Sequence, residues 1–231
     1  MYACGKTTGI CLNVGYSSTR LLPIYEGYAD PKLYSCIQVG GNVVTEKLSS
    51  LLSGKINYQE WPKFKILENI KMNCCYVKQH SSLQKQKTTY TLPDNTVIEL
   101  DEERHVASEL LFGEFPVVCE EFKEKKMSIS QSLVETISHL RTKSDYDIND
   151  YKDVFVFGST INLDGFSSRL ESDFRKIDKN HSNINFRAFP SISHNWTGGS
   201  ILASLSTFAK MWVSKYEYDD SGPTIIHRKC Y

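Results

Sequence analysis

Two glycine-containing turns are the segments of this sequence best suited to bind a phosphate-type anion. The first runs from Asn13 to Thr19, where Gly15 ends a predicted strand. The second is Gly158-Ser159-Thr160, between a predicted strand and a predicted helix. In both, a glycine lets backbone N–H groups approach an anion, and in the second a helix N-terminus adds partial positive charge. A glycine after a strand is most often only a turn, so each segment alone predicts no more than that.

Other sequence patterns that would indicate an enzyme are absent. The sequence contains no GxSxG motif and no HExxH motif, and its six histidines lack the spacing of metal ligands. The residues themselves therefore predict no catalytic group and no metal site.

Hydrophobic periodicity predicts the elements that must position the two turns. Strands are predicted at 9–13, 20–25 and 153–157, and a hairpin at 88–100 around Pro93-Asp94-Asn95. Helices are predicted from an Asn42 cap to Gly54, from Pro62 through Cys74, from a Ser128–Gln131 capping box through Leu140, and through 166–177. Because strands and helices alternate, the predicted class is α/β, or mixed α+β.

A stripe of apolar residues near the C-terminus has helical spacing. Its members are Ile201, Leu202, Leu205, Phe208 and Trp212, and Gly198-Gly199 precede them. At 3.6 residues per turn these side chains fall on one helix face. Such a face needs to be covered, either by the core of the same chain or by a partner.

Composition and charge exclude several classes of partner. The chain has 231 residues, with 27 basic and 27 acidic side chains and a formal net charge of zero. Without a basic patch, nucleic acid is not expected as a partner. The sequence has no run of about 18 apolar residues, so no membrane partner is expected. Seven cysteines without a CxxC pair suit a reducing cytosol, which predicts a cytoplasmic protein.

The C-terminal end of the sequence resembles that of actins nearly residue for residue, and the N-terminal end resembles actins too. The C-terminal stretches are WTGGSILASLSTF (196–208), MWVSK (211–215) and HRKCY (227–231), and the N-terminal stretches are YACGKTTGI (2–10) and PIYEGYADP (23–31). Looser similarity at 75–77, 90–94 and 109–112 connects the two ends. The sequence thus resembles the actin family over its whole length.

The resemblance implies a partial actin-like ATPase fold, with a ribonuclease-H-like sheet and flanking helices. Residues 1–39 and 121–195 would correspond to actin subdomain 3, residues 40–120 to subdomain 4, and residues 196–231 to the C-terminal piece of subdomain 1. In actins a long N-terminal portion with the first phosphate loop precedes these segments. We therefore expect a truncated, divergent member of the family.

The resemblance also implies a nucleotide site, of which remnants remain. The matching positions are Asn13, Gly15, Ser17, Gly41, Lys71, Gly158, Ser159 and Thr160. Asn13 stands where actins carry an aspartate that serves the metal, Arg20 where they carry a catalytic histidine, and Met72 where a glutamate meets the ribose. Losing carboxylates removes charge that Mg²⁺ needs. ATP and Mg²⁺ are thus implied by resemblance alone, and we expect no ATPase activity.

A partner-binding cleft is the second site that the resemblance implies. Its matching positions are Tyr2, Gly5, Thr7, Ile201, Leu202, Leu205, Thr207 and Met211. In actins, amphipathic helices of actin-binding proteins lie in this cleft, although core packing would also explain parts of the stripe, above all Phe208 and Trp212.

These observations favour one function and leave three alternatives. The leading hypothesis is an actin-like cytoskeletal protein without ATPase activity that binds actin or actin-binding proteins. The alternatives are an ATP-binding filament protomer, a sugar or phosphate enzyme built on half of the fold, and a non-functional partial copy. We also predict that Ile201, Leu205, Phe208 and Trp212, together with Ile225 and Ile226, are only partly covered, so that the chain associates with itself through this face.

Overall fold

A mixed β-sheet forms the centre of the molecule, seen in a computed structural model that describes residues 1–29, 31–79, 86–118, 125–143, 151–178 and 183–229. The strands are β1 (Gly9–Val14), β2 (Thr19–Tyr25), β3 (Tyr28–Ala29), β4 (Ser35–Ile37), β5 (Thr88–Thr91), β6 (Val97–Leu100), β7 (Phe115–Val118), β8 (Lys126–Met127), β9 (Asp153–Phe157) and β10 (Asn185–Ala188). Eight of them form one sheet in the order β10-β9-β1-β2-β4-β7-β8, with β3 paired to β2. The remaining two, β5 and β6, form a separate hairpin.

The helices cover this sheet and build a second layer beside it. They are α1 (Gly41–Leu51), α2 (Glu60–Cys74), α3 (Glu103–Glu109), α4 (Ile129–Lys143), α5 (Phe166–Ile177), α6 (His194–Ser204), α7 (Lys215–Ser221) and α8 (Ile226–Lys229). Short 3₁₀ turns lie at Tyr2–Cys4, Pro31–Leu33, Leu110–Phe112, Ser159–Asn162, Ser206–Met211 and Gly222–Ile225. The fold is therefore mixed α/β, as the sequence predicts. Within the described ranges no helix has the length and apolarity needed to cross a membrane.

Strand direction decides which strand ends lie at the same edge of the sheet. The neighbours β1 and β2 are antiparallel, with Leu12 opposite Leu21, and they are joined by a short turn. On the other side, β9 runs parallel to β1, with Asn13 opposite Phe157, and β10 runs parallel to β9. Because β1 and β9 are parallel, their C-terminal ends lie at the same edge of the sheet. The two glycine turns of the sequence follow these two strand ends.

One hydrophobic core joins the sheet to the helices. In the sheet, β1 contributes side chains that are fully buried, and β9 is apolar on both faces, which is typical of a central strand with parallel neighbours. Buried side chains of this core come from the sheet, from α4 and α5, and from the α1–α2 layer. They include Ile10, Leu12, Phe155, Ile129, Leu133, Phe166, Phe174, Leu48 and Ile70. Such burial of whole side chains is the main source of free energy for folding.

Most of the predicted elements are confirmed. The strands, the hairpin and the four helices form within a few residues of their predicted bounds. The capping box before α4 is also present, since the Ser128 N–H donates to Gln131 Oε1 at 2.7 Å and the Gln131 N–H donates to Ser128 Oγ at 3.2 Å. Asn42, however, does not cap α1. The helix begins at Gly41 with Gly40 as its cap, and the N–H of Asn42 donates to the Tyr16 carbonyl at 2.8 Å.

The second glycine turn does not lead directly into an α-helix. Gly158 is followed by the 3₁₀ turn Ser159–Asn162, and α5 begins only at Phe166, after Gly165. The expectation that an α-helix N-terminus adds positive charge at Gly158 is therefore wrong. The physical reason for the difference is the backbone conformation of two glycines. Both have a positive φ, 106° at Gly158 and 82° at Gly165, and each interrupts helical geometry.

The C-terminal stripe is not one helix. After Ser204 the helix α6 ends, Leu205 is extended, and the 3₁₀ turn Ser206–Met211 follows. The Ser204 hydroxyl donates to the Ser200 carbonyl at 2.8 Å, a bond of the kind that competes with helix continuation. The prediction that Ile225 is only partly covered is also wrong, because only 6% of this residue is exposed.

Replacing Gly158 by alanine tests the contact between the two strand ends. A Cβ at Gly158 would lie 2.1 Å from the Val14 carbonyl oxygen, and the positive φ adds backbone strain. We expect Gly158→Ala to lower the free energy of unfolding by about 1–3 kcal/mol, measured by urea denaturation. The matched control is Gly199→Ala, because a Cβ there would meet nothing within 4 Å beyond its chain neighbours and its own helix backbone, and alanine favours the helix by about 1 kcal/mol. Equal stability of the two variants would contradict this description.

Candidate functional site

The two glycine turns meet at the edge of the sheet where β1 and β9 end. The hydroxyl of Thr160 donates to the Gly15 carbonyl at 2.8 Å. The backbone of Gly158 lies so close to β1 that a Cβ there would also be 3.0 Å from the Asn13 side-chain oxygen. The structure therefore brings Asn13, Gly15, Gly158 and Thr160 together at this edge of the sheet.

The beginning of α1 completes this junction. Gly41 donates its N–H to the Gly15 carbonyl at 3.0 Å, and the next N–H donates to the Tyr16 carbonyl. Side chains are excluded here, because a Cβ at Gly40 would lie 2.3 Å from the Tyr16 carbonyl oxygen and one at Gly41 would lie 2.9 Å from Thr160 Oγ1. The first N–H groups of the helix are thus used by this chain's own carbonyls, whereas an anion site at a helix N-terminus needs them free.

Lys71 lies under the junction with its ammonium fully hydrogen-bonded. Its Nζ donates to Glu68 Oε1 at 2.6 Å, to Thr45 Oγ1 at 3.0 Å and to the Gly41 carbonyl at 3.2 Å. An ammonium has three donors, and these acceptors use all three. We call this group of Lys71, Glu68, Thr45 and the Gly41 carbonyl the Lys71 network. Its hydrogen bonds leave no donor of Lys71 for a ligand.

The aromatic ring of Tyr16 covers this network from the first glycine turn. The Lys71 ammonium lies 5.4 Å from the centre of the Tyr16 ring, within the range of a cation–π contact. The ring also meets Phe64 edge-on, with 6.2 Å between the ring centres. Burial first, and then the charges of Glu68 and Glu46, raise the pKa of Tyr16 above its ordinary value. Its hydroxyl is therefore neutral at physiological pH and adds no negative charge for a cation.

The remaining predicted nucleotide positions contribute little to the junction. Ser17 is exposed in the β1–β2 turn, and Ser159 lies half-buried between its two neighbours. The side chain of Asn13 accepts a long hydrogen bond, 3.5 Å, from the amide of Asn195 in α6. Among the described residues, no group of three His, Cys, Asp or Glu side chains is arranged to hold a metal ion. The neutral Asn13 and the fully bonded Lys71 do not fit a magnesium nucleotide.

The predicted partner cleft is only partly assembled. The turn Tyr2–Cys4 packs against α6, and between them lies a cavity of about 240 Å³. Its lining comprises Met1, Tyr2, Cys11, Phe157, His194, Asn195, Gly198, Gly199 and Leu202. Two predicted cleft residues, Tyr2 and Leu202, therefore line this cavity. The other six, Gly5, Thr7, Ile201, Leu205, Thr207 and Met211, are exposed and do not line it.

Exposed apolar side chains are concentrated in the C-terminal part of the molecule. Of the eighteen large apolar side chains exposed among the described residues, ten lie between residues 192 and 226. We call these ten the C-terminal surface: Ile192, Trp196, Ile201, Leu205, Met211, Trp212, Val213, Tyr216, Tyr218 and Ile226. The prediction that these apolar side chains are only partly covered is confirmed for Ile201, Leu205, Trp212 and Ile226. The helical spacing does not point to Trp196 and Tyr216, which are 75% and 80% exposed, because they lie outside the stripe.

Local polar contacts hold the segment from 212 to 229 together. Ser214 and Glu217 form a capping box at the start of α7. The Lys229 ammonium then reaches back to Glu217 Oε1 at 2.7 Å and to the Trp212 carbonyl at 2.5 Å. The Lys229 hydrogen bond, followed by those from Ser214, lowers the pKa of Glu217 to about 2. Glu217 is thus ionised at physiological pH, and its contacts with Ser214 and Lys229 connect the two ends of this segment.

A comparison with known protein families agrees with the resemblance seen in the sequence. The family model described as Actin matches residues 1–231, which is the whole chain. The match therefore covers the junction of the glycine turns, the Lys71 network and the C-terminal surface alike.

Removing the Lys229 charge tests the contact that holds the C-terminal segment. We expect Lys229→Met to raise the pKa of Glu217 from about 2 towards its ordinary 4.5, with a residual lowering from the Ser214 bonds. Because the native pKa is depressed, the ionised pair stabilises the segment above the ordinary pKa, and this stabilisation is lost as pH falls towards 2. An NMR titration of the carboxyl resonance measures the shift. Lys210→Met is the matched control, and an unchanged Glu217 pKa in Lys229→Met would contradict the assignment.

Proposed function

The chain belongs to the actin family, and from this premise we propose that it is a cytoplasmic, actin-like cytoskeletal protein without ATPase activity. It acts by binding actin or actin-binding proteins through the C-terminal surface. The observation that carries this proposal is the concentration of exposed apolar side chains between residues 192 and 226.

The energetics of exposed apolar groups support a partner at this surface. Leaving one large apolar side chain in water forgoes about 1.5–3 kcal/mol compared with burying it. The C-terminal surface leaves Trp196, Trp212 and Tyr216 more than half exposed. Tryptophan and tyrosine are the residue types most enriched among those that dominate binding at protein interfaces. A partner that covers them would gain most of this free energy.

The junction of the glycine turns supports the proposed loss of ATPase activity. Hydrolysis of a nucleotide needs a charged site that holds phosphate and metal. Here Asn13 is neutral, the α1 N–H groups donate to protein carbonyls, and Glu68 already pairs with Lys71. Each missing hydrogen bond to a charged phosphate costs about 1.5–3 kcal/mol of binding free energy. Among the described residues of this junction, the charged side chains of Lys71 and Glu68 are already paired with each other, which supports the proposed loss of nucleotide chemistry.

The arrangement of the elements is consistent with the subdomain division, which stays a proposal. The central sheet draws its strands from residues 9–37 and 115–188, whereas residues 41–112 form α1, α2, α3 and the β5–β6 hairpin. Residues 40–120 would then be the subdomain-4-like part, although β7 near the end of this range belongs to the central sheet and the boundary at 120 lies outside the described residues. Residues 196–231 would be the C-terminal piece of subdomain 1.

Titration with magnesium ATP tests the nucleotide part of the proposal. We expect isothermal titration calorimetry to show no binding with a submicromolar dissociation constant and a phosphate-release assay to show no hydrolysis. The physical reason is the neutral Asn13 beside a Lys71 whose donors are all used. Tight binding would contradict the proposal and favour an ATP-binding filament protomer.

Charges placed on the C-terminal surface test the binding part. We expect the double variant Ile201→Asp, Leu205→Asp to weaken binding to purified actin by at least about tenfold, because burying unpaired carboxylates costs at least about 1.4 kcal/mol. Analytical ultracentrifugation with actin and with the chain alone measures both partner binding and self-association. Val97→Asp is the matched control, since Val97 is 59% exposed on the separate hairpin. The proposal would be overturned if the wild-type chain stayed monomeric and bound neither actin nor actin-binding proteins.

A further inference from the structure

The outer edge of β10 is an open edge of the central sheet. β10 is the last strand in the strand order, and among the described residues no strand lies on its far side. At the other end of the order lies β8, which has only two residues, one of them Lys126. Very short edge strands and lysine side chains are means by which proteins prevent a sheet edge from pairing with another chain. β10 has four residues, none of them lysine or proline, so it is the less protected end of the sheet.

Two hydrogen bonds show which backbone groups of this strand face outward. The N–H groups of Asn185 and Phe189 each donate at 2.8 Å to a carbonyl in or directly before β9. Because successive residues of a strand direct their backbone groups to alternate sides, the N–H and C=O groups of Phe186 and Ala188 point away from β9. The open edge therefore presents two donors and two acceptors at the spacing that a further strand requires.

The charge on this strand does not protect the edge, because it is already paired within the chain. The Arg187 Nε donates to Asp153 Oδ1 at 3.2 Å, and the Asn185 amide donates to the same oxygen at 3.3 Å. Side chains alternate between the faces of a strand, so Phe186 lies on the opposite face, where its ring meets Phe174 of α5 at 5.2 Å between centres. One face of the edge is thus polar and charge-balanced, and the other is aromatic.

We propose that the β10 edge pairs with the β10 edge of a second copy of this chain, antiparallel and with Phe186 opposite Phe186. In this register Asn185 of one copy lies opposite Arg187 of the other, and Ile184 lies opposite Ala188. The two Phe186 residues exchange a pair of backbone hydrogen bonds, and the outward groups of Ala188 are used as well. Two central sheets would then join into one continuous sheet.

Charge and ring contacts favour this register over its neighbour. If the pairing were centred on Arg187 instead, two guanidinium groups would lie directly opposite each other, and like charges in that position are destabilising. In the proposed register each Arg187 faces the neutral amide of Asn185, beside the Asp153 carboxylate that already binds both. Opposed Phe186 rings form an aromatic cross-strand pair, which is stabilising. The edge is therefore complementary to itself, which is why a second copy is the partner that it fits.

Cysteines placed on facing positions test the register directly. Asn185→Cys and Arg187→Cys are made as separate variants, since both positions are exposed, and are then mixed under mild oxidation. In the proposed register their Cα atoms lie about 4.5 Å apart, within the range of a disulfide. Two copies of the same variant place their new cysteines diagonally, about 7–8 Å apart, which is too far. We expect a 185–187 disulfide in the mixture and no link through the new cysteine of either variant alone. Peptide mass spectrometry separates this link from links of the seven native cysteines.

A proline at position 188 tests the backbone pairing. Ala188→Pro removes an N–H that points away from β9, so the strand keeps its own hydrogen bonds. Each copy loses one donor, and we expect the association constant of the dimer to fall at least about tenfold in analytical ultracentrifugation. The matched control is Ala188→Ser, which keeps the N–H and should associate as wild type does. All of these measurements are made in the Ile201→Asp, Leu205→Asp background, so that the C-terminal surface does not contribute.

Three outcomes would overturn the inference. The first is a mixture that forms no more 185–187 disulfide than either variant forms of its own link. The second is a folded Ala188→Pro that associates as strongly as Ala188→Ser; if Ala188→Pro does not fold, the disulfide at the exposed positions decides. The third is loss of the disulfide on adding Ile201→Asp and Leu205→Asp, which would place self-association on the C-terminal surface and leave the proposed function intact. A disulfide that persists in a chain that binds no actin or actin-binding protein would contradict the proposed function alone.

Discussion

The carbonyl oxygens of Gly15 and Tyr16 are the acceptors that hold the layers of this molecule together. One accepts from the Gly41 N–H and from the Thr160 hydroxyl, and the other accepts from the N–H that follows in α1. The connected elements lie far apart in the sequence, at residues 15, 41 and 160. Backbone groups away from water must find partners, and here the donors come from the start of α1 and from the turn after β9. This junction therefore sets where the α1–α2 layer sits on the sheet.

The contacts that build the fold also support the proposed loss of nucleotide binding at the junction. The glycines at 40, 41 and 158 allow backbones to approach more closely than any side chain would permit. In that approach the N–H groups at the start of α1 are used by protein carbonyls. The Lys71 network completes the same pattern with side chains, because Glu68 and Thr45 satisfy the ammonium. Stability and ligand binding compete for the same donors, and in this chain the protein's own acceptors occupy them.

Sequence reasoning worked where the deciding contacts are local or periodic. The apolar runs of β1 and β9 and the Ser128–Gln131 capping box need only neighbouring residues, and all three form as predicted. It failed where a distant group decides. Gly40 rather than Asn42 caps α1 because the Asn42 N–H goes to Tyr16, a contact that no local pattern contains.

The candidate site was predictable to the same extent. The family resemblance named Gly15, Gly41, Lys71 and Thr160, and the parallel pairing of β1 with β9 explains why the two turns meet. The spacing of Glu68 and Lys71 places both on one helix face, but it does not predict that the Lys71 side chain is buried. The Tyr16 ring that lies over the Lys71 ammonium belongs to a strand turn more than fifty residues earlier, a contact that this spacing does not contain.

The C-terminal segment shows how a chain can present apolar groups without losing its shape. Its burial is modest, since Ile225 is covered while Trp212 and Tyr216 remain mostly exposed. Polar contacts replace the missing core, because Lys229 ties Glu217 to the Trp212 carbonyl and Ser214 caps α7. A segment ordered before it binds loses less conformational entropy on association. The same contacts that order this segment would therefore also favour its proposed use as a binding surface.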